Sequence, residues 1–232
     1  MDRRPACQSD ERAGGAIPTD ERTISDGSQL TVVRITDGQD ARLDPLLSIY
    51  EMAIPLRERK SEAALRAMAS SPVHRVFAAS KAGRMLGFCA LYAGKVALLE
   101  YLAVDEAARG HGVGAELYRR GRDTLESGPL LVEVESDRED VADRALRSRR
   151  IAFYRRLGCR RLKELEFIFP LRGAGTPPKI DILVDAFPGA SVPGALAAEW
   201  LREIYDAVYE CPPDDRRLIE MLGALPPELP LE

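Results

Sequence analysis

The chain has 232 residues, 45% hydrophobic and 30% charged, with a formal net charge of −4, which suits one substantial core with a small appendage. That charge gives no electrostatic footing for nucleic acid or an anionic membrane, and no stretch reads as a membrane span or signal peptide. Cys7, Cys89, Cys159 and Cys211 stand far apart and the only histidines are His74 and His111, so a zinc site is not expected and the thiols read as reduced, cytoplasmic residues.

Residues 1–28 are nearly empty of large apolar groups and read as a disordered tail. Leu30–Ile35 reads as a first strand, and Leu43, Leu46, Leu47 and Tyr50 then recur at helical spacing. Pro55 should break that helix before a second one around Leu65 and Met68. Three strands are expected at Arg75–Ala79, Met85–Tyr92 and Val96–Val104, the first two joined by a hairpin turn at Ser80–Arg84. A glycine-rich corner, Arg109–Gly114, opens a helix with Val113, Leu117 and Gly121 on its apolar stripe. Leu130–Glu135 is a strand, Leu146, Phe153 and Leu157 mark a helix closed by Gly158, and two further strands are expected at Arg161–Phe169 and Ile180–Phe187. Ala197, Leu201, Ile204 and Val208 give a last amphipathic helix, followed by a shorter one around Arg216–Leu222 and a proline-rich end. The expected organisation is a tail (1–28), a mixed α/β domain (29–188) and a C-terminal helical extension (189–232).

Charge is uneven along the chain. Residues 144–163 carry nine Arg or Lys and no acid, whereas residues 181–232 carry a net charge of −8. A solvated helix face meeting an acidic extension accounts for this; a site for an acidic or phosphorylated ligand is the sharper alternative.

The stretch Leu99–Tyr118 carries the clearest chemistry: a strand, a short loop, then a helix that begins in glycines. A helix N-terminus offers unpaired N–H groups and the positive end of the peptide dipoles. Gly110, Gly112 and Gly114 remove the Cβ atoms that would hold an anion away, and Arg109 adds a positive charge. A pyrophosphate suits such a corner. The spacing is neither GxGxxG nor GxxxxGK[ST], so a dinucleotide fingerprint and a nucleoside-triphosphate loop are set aside.

Arg109-x-x-Gly112-x-Gly114, following Leu102-Ala103-Val104, resembles the coenzyme-A-binding motif of the GNAT N-acetyltransferases. Ile151-Ala-Phe-Tyr-Arg-Arg-Leu-Gly158 is similar to that family's later FYxxxG helix end, in the right order and with the right strand between. The resemblance covers residues 30–187. It implies the GNAT fold, a mixed, mostly antiparallel sheet flanked by helices, and an acyltransferase using acetyl-coenzyme A as donor, without a metal. Residue by residue, backbone groups of Leu102, Ala103 and Val104 would pair with the pantetheine arm. Arg109, Gly110, His111, Gly112, Val113 and Gly114 would surround the pyrophosphate, His111 occupying a variable motif position.

Tyr154 matches the tyrosine that in many members protonates the departing thiolate. An ammonium acceptor must lose a proton before it attacks a thioester, and a carboxylate suits that task. Glu133 is the first candidate base, at a position some family members use; Glu100, in the strand leading to Leu102, is the second. Glu135 shares a face with Glu133 at period two, so repulsion between the two could raise one of them. In the acceptor pocket that the family forms near its first helices, Glu51 and Glu58 could bind a cationic amine, and Arg57, Arg59 and Lys60 a carboxylate. The chain departs from the family at Arg147, where many relatives have Asn, within an apparent insertion at 136–150, and at Cys159, where an aromatic residue is common; Cys159 reads as a small buried filler.

The implied reaction is acetyl transfer to a primary amine of a small molecule. Acetylation of a protein lysine or N-terminus, transfer involving charged tRNA, and a coenzyme-binding module without turnover are the alternatives. The extension with Trp200, Tyr205 and Tyr209 could cover a sheet edge, form a homodimer contact or cap the acceptor site.

Overall fold

The computed structural model describes residues 21–23, 29–126, 128–171 and 177–232. Strand β1 (Glu21–Thr23) pairs antiparallel with β2 (Gln29–Ile35), so three residues of the segment read as a tail are strand; the remainder of that expected tail lies outside the described residues. Helix α1 (Leu43–Ala53) stops before Pro55, which pushes Ile54 into extended backbone (φ −102°, ψ 128°). A single 3-10 turn at Leu56–Glu58 leads to α2 (Glu62–Ser70), whose first turn is capped by the Ser61 hydroxyl accepting from the Ala64 N–H. β3 (His74–Lys81) and β4 (Arg84–Ala93) form a hairpin about Ala82-Gly83, both with positive φ, as a two-residue turn of the primed type demands.

β5 (Ala97–Val104), α3 (Val113–Arg122), β6 (Leu130–Glu135) and α4 (Arg144–Arg156) follow, then β7 (Arg160–Arg161), β8 (Ile180–Asp185), β9 (Ser191–Pro193), α5 (Gly194–Ala207), α6 (Arg216–Ala224) and β10 (Glu228–Pro230). The main sheet runs β1-β2-β3-β4-β5-β6-β8-β7, and β9 pairs with β10 in a small second sheet. Every neighbouring pair in the main sheet is antiparallel except β5–β6.

Helices cover both faces. Leu91, Leu99, Val132 and Leu183 face α3 and α4 in one core that includes Leu117, Ile151 and Tyr154. On the opposite face α1 and α2 pack on Val76, Ala78, Phe88 and Ala90, while α5 and α6 pack Trp200, Leu201, Ile204 and Met221 on Leu98, Leu131, Ile182 and Val184. Period-two alternation of apolar residues on both sides of each strand supplies the three layers. The C-terminal extension therefore covers a sheet face with α5 and α6, and its last residues, Pro230–Glu232, also hydrogen-bond along Arg161–Lys163 at the β7 edge.

Two features differ from the sequence expectation. Arg161–Phe169 is not one strand: only Arg160–Arg161 pairs as β7, with isolated bridges from Leu162 to Leu231 and Phe167 to Ile180. Glu164 has φ +60°, which breaks an extended run, and the amides of Arg161 and Lys163 donate to the carbonyls of Glu232 and Pro230. In the basic segment, in turn, Arg147, Arg150, Arg161 and Lys163 are paired with nearby acids. Arg147 is buried between Glu135, Glu139 and Asp143, Arg161 meets Asp137 and Asp181, and Lys163 meets Glu232. Arg147 thus serves as the hub of an ionic cluster that ties α4 to the end of β6.

Candidate active site

β5 and β6 are hydrogen-bonded only over Ala97–Leu99 and Leu130–Val132. Beyond that point β5 stays with β4 as far as Val104, and β6 stays with β8 as far as Glu135. The two strands part, and one edge of each is left without a strand partner. A cavity of about 940 Å³ occupies the gap. Its walls come from both layers: Val113, Gly114, Phe153 and Tyr154 from the α3/α4 side, Ile54, Pro55, Arg57–Lys60, Val208 and Tyr209 from the α1/α5 side. The cavity passes through the sheet, so two reactants can enter from opposite faces and meet between the strands.

On the α3 side, Gly110 and Gly112 both take positive φ (+81° and +84°). Gly112 is the left-handed residue from which α3 starts, with no side chain capping the helix, so its first N–H groups remain available for an anion. Arg109 and Gly110, together with Gly112–Gly114, line the cavity, and the Arg109 Nε donates to the Val104 carbonyl at 3.3 Å. Leu102, Ala103 and Val104 line it along the free edge of β5, where an extended amide-bearing chain can add as a strand. His111 is exposed and outside the cavity lining. Open amides, cleared Cβ positions and a free strand edge fit a pyrophosphate joined to a pantetheine arm.

In the gap itself lie the two candidate carboxylates. Glu133 Oε2 accepts a hydrogen bond from the Tyr209 hydroxyl, while its Oε1 is buried without a hydrogen-bond partner among the described residues. Burial pushes this carboxyl up to about 7; the negative charge of Glu100 adds to the rise, and the Tyr209 hydrogen bond opposes it. Glu135 does not act as the repelling partner. It is drawn away by Arg147 at 3.5 Å and Arg150 at 3.0 Å.

Glu100 is the extra residue of a β-bulge. The register of β4 on β5 steps from Ala90 opposite Tyr101 to Leu91 opposite Leu99, which turns Glu100 and Tyr101 to the same face. The Glu100 side chain is 3% exposed and held by Lys60 Nζ at 2.7 Å and His74 Nε2 at 3.1 Å. Each carboxylate has one oxygen held, Glu100 Oε2 by Lys60 and Glu133 Oε2 by Tyr209, and each has its Oε1 buried without a hydrogen-bond partner among the described residues; Glu133 differs in having no basic side chain paired with it.

Tyr154 lies on the α4 wall, its ring packed edge-on against Phe153 and Tyr118. Burial raises its phenol above the ordinary value, although Arg150 pulls the other way. The phenol is therefore protonated at neutral pH and can donate to a thiolate; full transfer to a thiol of ordinary acidity (pKa about 8.5) runs uphill, so the hydrogen bond is its main contribution. Cys159 is buried with its Sγ 3.0 Å from the Tyr118 hydroxyl, which also donates to Asp185, and burial raises its thiol to about 11. Such a thiol is not a nucleophile at neutral pH.

The expected acceptor residues divide. Arg57 and Glu58 line the cavity and pair with each other at 3.3 Å. Arg59 also lines it, but its guanidinium donates to the carbonyls of Glu51 and Ile54, satisfying the C-terminal end of α1. Glu51 is exposed and its side chain stands outside the cavity lining. Sequence reasoning named Tyr209 only as part of an extension that could cap the acceptor site, and foresaw neither its hydrogen bond to Glu133, 76 residues away in the chain, nor the joining of Lys60, Glu100 and His74 in one cluster. No local motif marks either.

Residues 72–160 match the family model described as the acetyltransferase (GNAT) domain. No curated protein matches the chain significantly. Among solved structures, a Bacteroides thetaiotaomicron protein assigned to the GNAT acetyltransferases superposes with a TM-score of 0.63 at 18% identity, over 78% of this chain and 99% of that one. Arabidopsis thaliana NAA60 in complex with acetyl-CoA gives a TM-score of 0.53 at 15% identity, covering 69% and 99%. The GNAT domain of S. lividans PAT gives 0.52 at 14%, covering 73% and 97%. The matched segment contains the glycine corner, Glu133 and Tyr154; α1, α2 and the C-terminal extension lie outside it.

Proposed function

We infer, for a chain that carries a GNAT acetyltransferase domain and is an acyltransferase, that the acceptor is the primary amine of a small molecule and that Glu133 is its base. The donor supplies an acetyl thioester, held by Arg109, Gly110, Gly112–Gly114 and the edge of β5 at Leu102–Val104. The observation that carries the reading is the Glu133 carboxylate. It stands where the strands part, with one oxygen fixed by Tyr209 and the other free, and burial has brought it near neutrality. A base so poised matches the task of deprotonating an ammonium at physiological pH.

The amine nitrogen then forms its bond to the acetyl carbon as the carbon–sulfur bond breaks. Glu133 takes one ammonium proton, the second proton shed by the nitrogen as the amide forms goes to the departing thiolate, and the Tyr154 hydroxyl stabilises that thiolate by donating a hydrogen bond to it. On the α1/α5 side the cavity is walled by Ile54, Pro55, Arg57–Lys60, Phe169, Pro170, Val208 and Tyr209, walls from several segments that support a compact acceptor over an extended peptide.

The test is thiol release from acetyl-coenzyme A against matched panels of small primary amines and of peptides with free N-termini or lysines. Turnover with small amines and none with peptides is expected. Faster turnover with peptides would overturn the acceptor assignment.

A further inference from the structure

We propose that Tyr209, contributed by the C-terminal extension, is the positioning residue of the base: its phenol holds one oxygen of Glu133 and leaves the other aimed into the cavity for the acceptor's ammonium. The inference rests on Glu133 as the base and adds that a segment outside the matched acetyltransferase domain completes the catalytic apparatus.

Three independent features fix Tyr209 in place. The helix exit sets its backbone: the Tyr209 amide donates to Ile204 and the Cys211 amide to Tyr205, and Glu210 turns left-handed at φ +55°. The ring is clamped edge-on between Phe169, at 5.5 Å, and Tyr205, at 6.0 Å. The Tyr205 hydroxyl is in turn anchored on the Ile168 carbonyl, so the aromatic cluster cannot rotate freely. The hydroxyl then donates to Glu133 Oε2. A phenol buried beside two carboxylates resists ionisation, and Tyr209 is accordingly raised well above its ordinary value, chiefly by burial and then by Glu133. It stays a donor across the whole working pH range.

A donor that never titrates stabilises the ionised form of its partner more than the protonated form. Tyr209 therefore does two things to Glu133. It restrains the carboxylate rotamer, and it partly offsets the burial that would otherwise hold the group protonated at neutral pH. The other titratable or charged groups around Glu133 are Glu100 on β5 with its partners Lys60 and His74, Tyr205 on α5, Tyr154 and Arg150 on α4, and Glu135 on its own strand. Among the described residues none of these hydrogen-bonds Glu133, and Glu100 acts on it in the opposite sense.

The experiment is carbon-13 NMR titration of the whole protein, labelled at glutamate Cδ, with Glu133→Gln used to assign the Glu133 resonance. No acceptor is needed. In Tyr209→Phe the Glu133 midpoint should rise by about one unit, so that at pH 7 the ionised fraction falls several-fold, while acetyl-coenzyme-A affinity by calorimetry stays at the parent value. A purely structural role would leave the midpoint where it was, or lower coenzyme affinity along with it, and either result overturns the proposal. Should Tyr209→Phe fail to fold, the parent protein labelled at tyrosine Cζ answers the same question. The Tyr209 signal must then follow the Glu133 titration near neutrality, although the phenol itself ionises far higher; a flat signal overturns the proposal. Failure of the underlying reading looks different: Glu133→Gln would then leave slow thiol release from acetyl-coenzyme A unchanged.

Discussion

Replacing Glu133 by Gln should slow the enzyme and stabilise the fold at the same time. The carboxyl is raised from an ordinary 4.5 to about 7. The native state thus binds this proton more tightly than the unfolded chain does. The resulting stability is fully present below about pH 4.5 and is lost as pH rises through about 7. A rise of that size corresponds to about 3 kcal/mol by pH 8.5. Glutamine carries no charge, keeps an acceptor oxygen for Tyr209 and so escapes the loss. Denaturant unfolding at pH 8.5 should show Glu133→Gln more stable than the parent by up to about 3 kcal/mol, and at pH 4.5 the two should nearly coincide. Turnover should fall by roughly 10²–10⁴-fold, with partial recovery at alkaline pH where more acceptor is already deprotonated. In the parent, turnover at saturating acceptor should drop about tenfold for each pH unit below neutrality. Equal stabilities at pH 8.5 together with an undiminished rate would show that Glu133 is neither strained by its burial nor the base.

Three further outcomes follow from other parts of the site. Gly112→Asp places a side chain at φ +84° and a negative charge where the α3 amides face the donor; calorimetry should show acetyl-coenzyme-A affinity weakened by roughly tenfold or more, and an unchanged affinity would reduce the corner to a turn. Tyr154→Phe should lower turnover by about 10²-fold or more while leaving donor affinity intact, and a normal rate would remove Tyr154 from the chemistry. Trp200→Ala empties a buried position between α5 and the sheet and should cost about 3–5 kcal/mol in denaturant unfolding; a loss below about 1 kcal/mol would show that the extension packs loosely.

Most of the fold was legible because its signals are local. The two positive-φ residues of the β3–β4 hairpin are an Ala-Gly pair at the expected turn, Pro55 ends α1 through its own ring, and β6 starts directly after Gly128-Pro129 and runs through Leu130–Val132 and Val134 to Glu135. Where the reading failed, a distant segment decided the outcome. Arg161–Phe169 looks extended and apolar enough for a strand. Its first residues instead spend their amides on Pro230 and Glu232 at the far end of the chain. The bulge that turns Glu100 inward is likewise invisible in Leu98–Val104, since strict alternation would predict a different face for Tyr101.

The same distinction separates the two halves of the proposed active site. The donor half is made of backbone: amides at the start of α3, an unpaired strand edge and glycines that clear the approach. Backbone chemistry needs a contiguous run of residues, so it leaves a motif that can be read from 15 or so positions on the pattern of strand, glycine turn and helix. The acceptor half is made of side chains from Ile54, Pro55, Arg57–Lys60, β6 and the end of α5, brought together only by the three-layer packing. Tyr209 reaches Glu133 because Trp200, Leu201 and Ile204 seat α5 on the sheet, and nothing near residue 209 announces it. Donor and acceptor recognition are therefore separable in this chain. On the proposed assignment, substitutions at Arg57, Glu58 or Phe169 should alter which amine is accepted while leaving acetyl-coenzyme-A affinity by calorimetry unchanged, whereas changes at the glycine corner should weaken that affinity without altering the choice of amine.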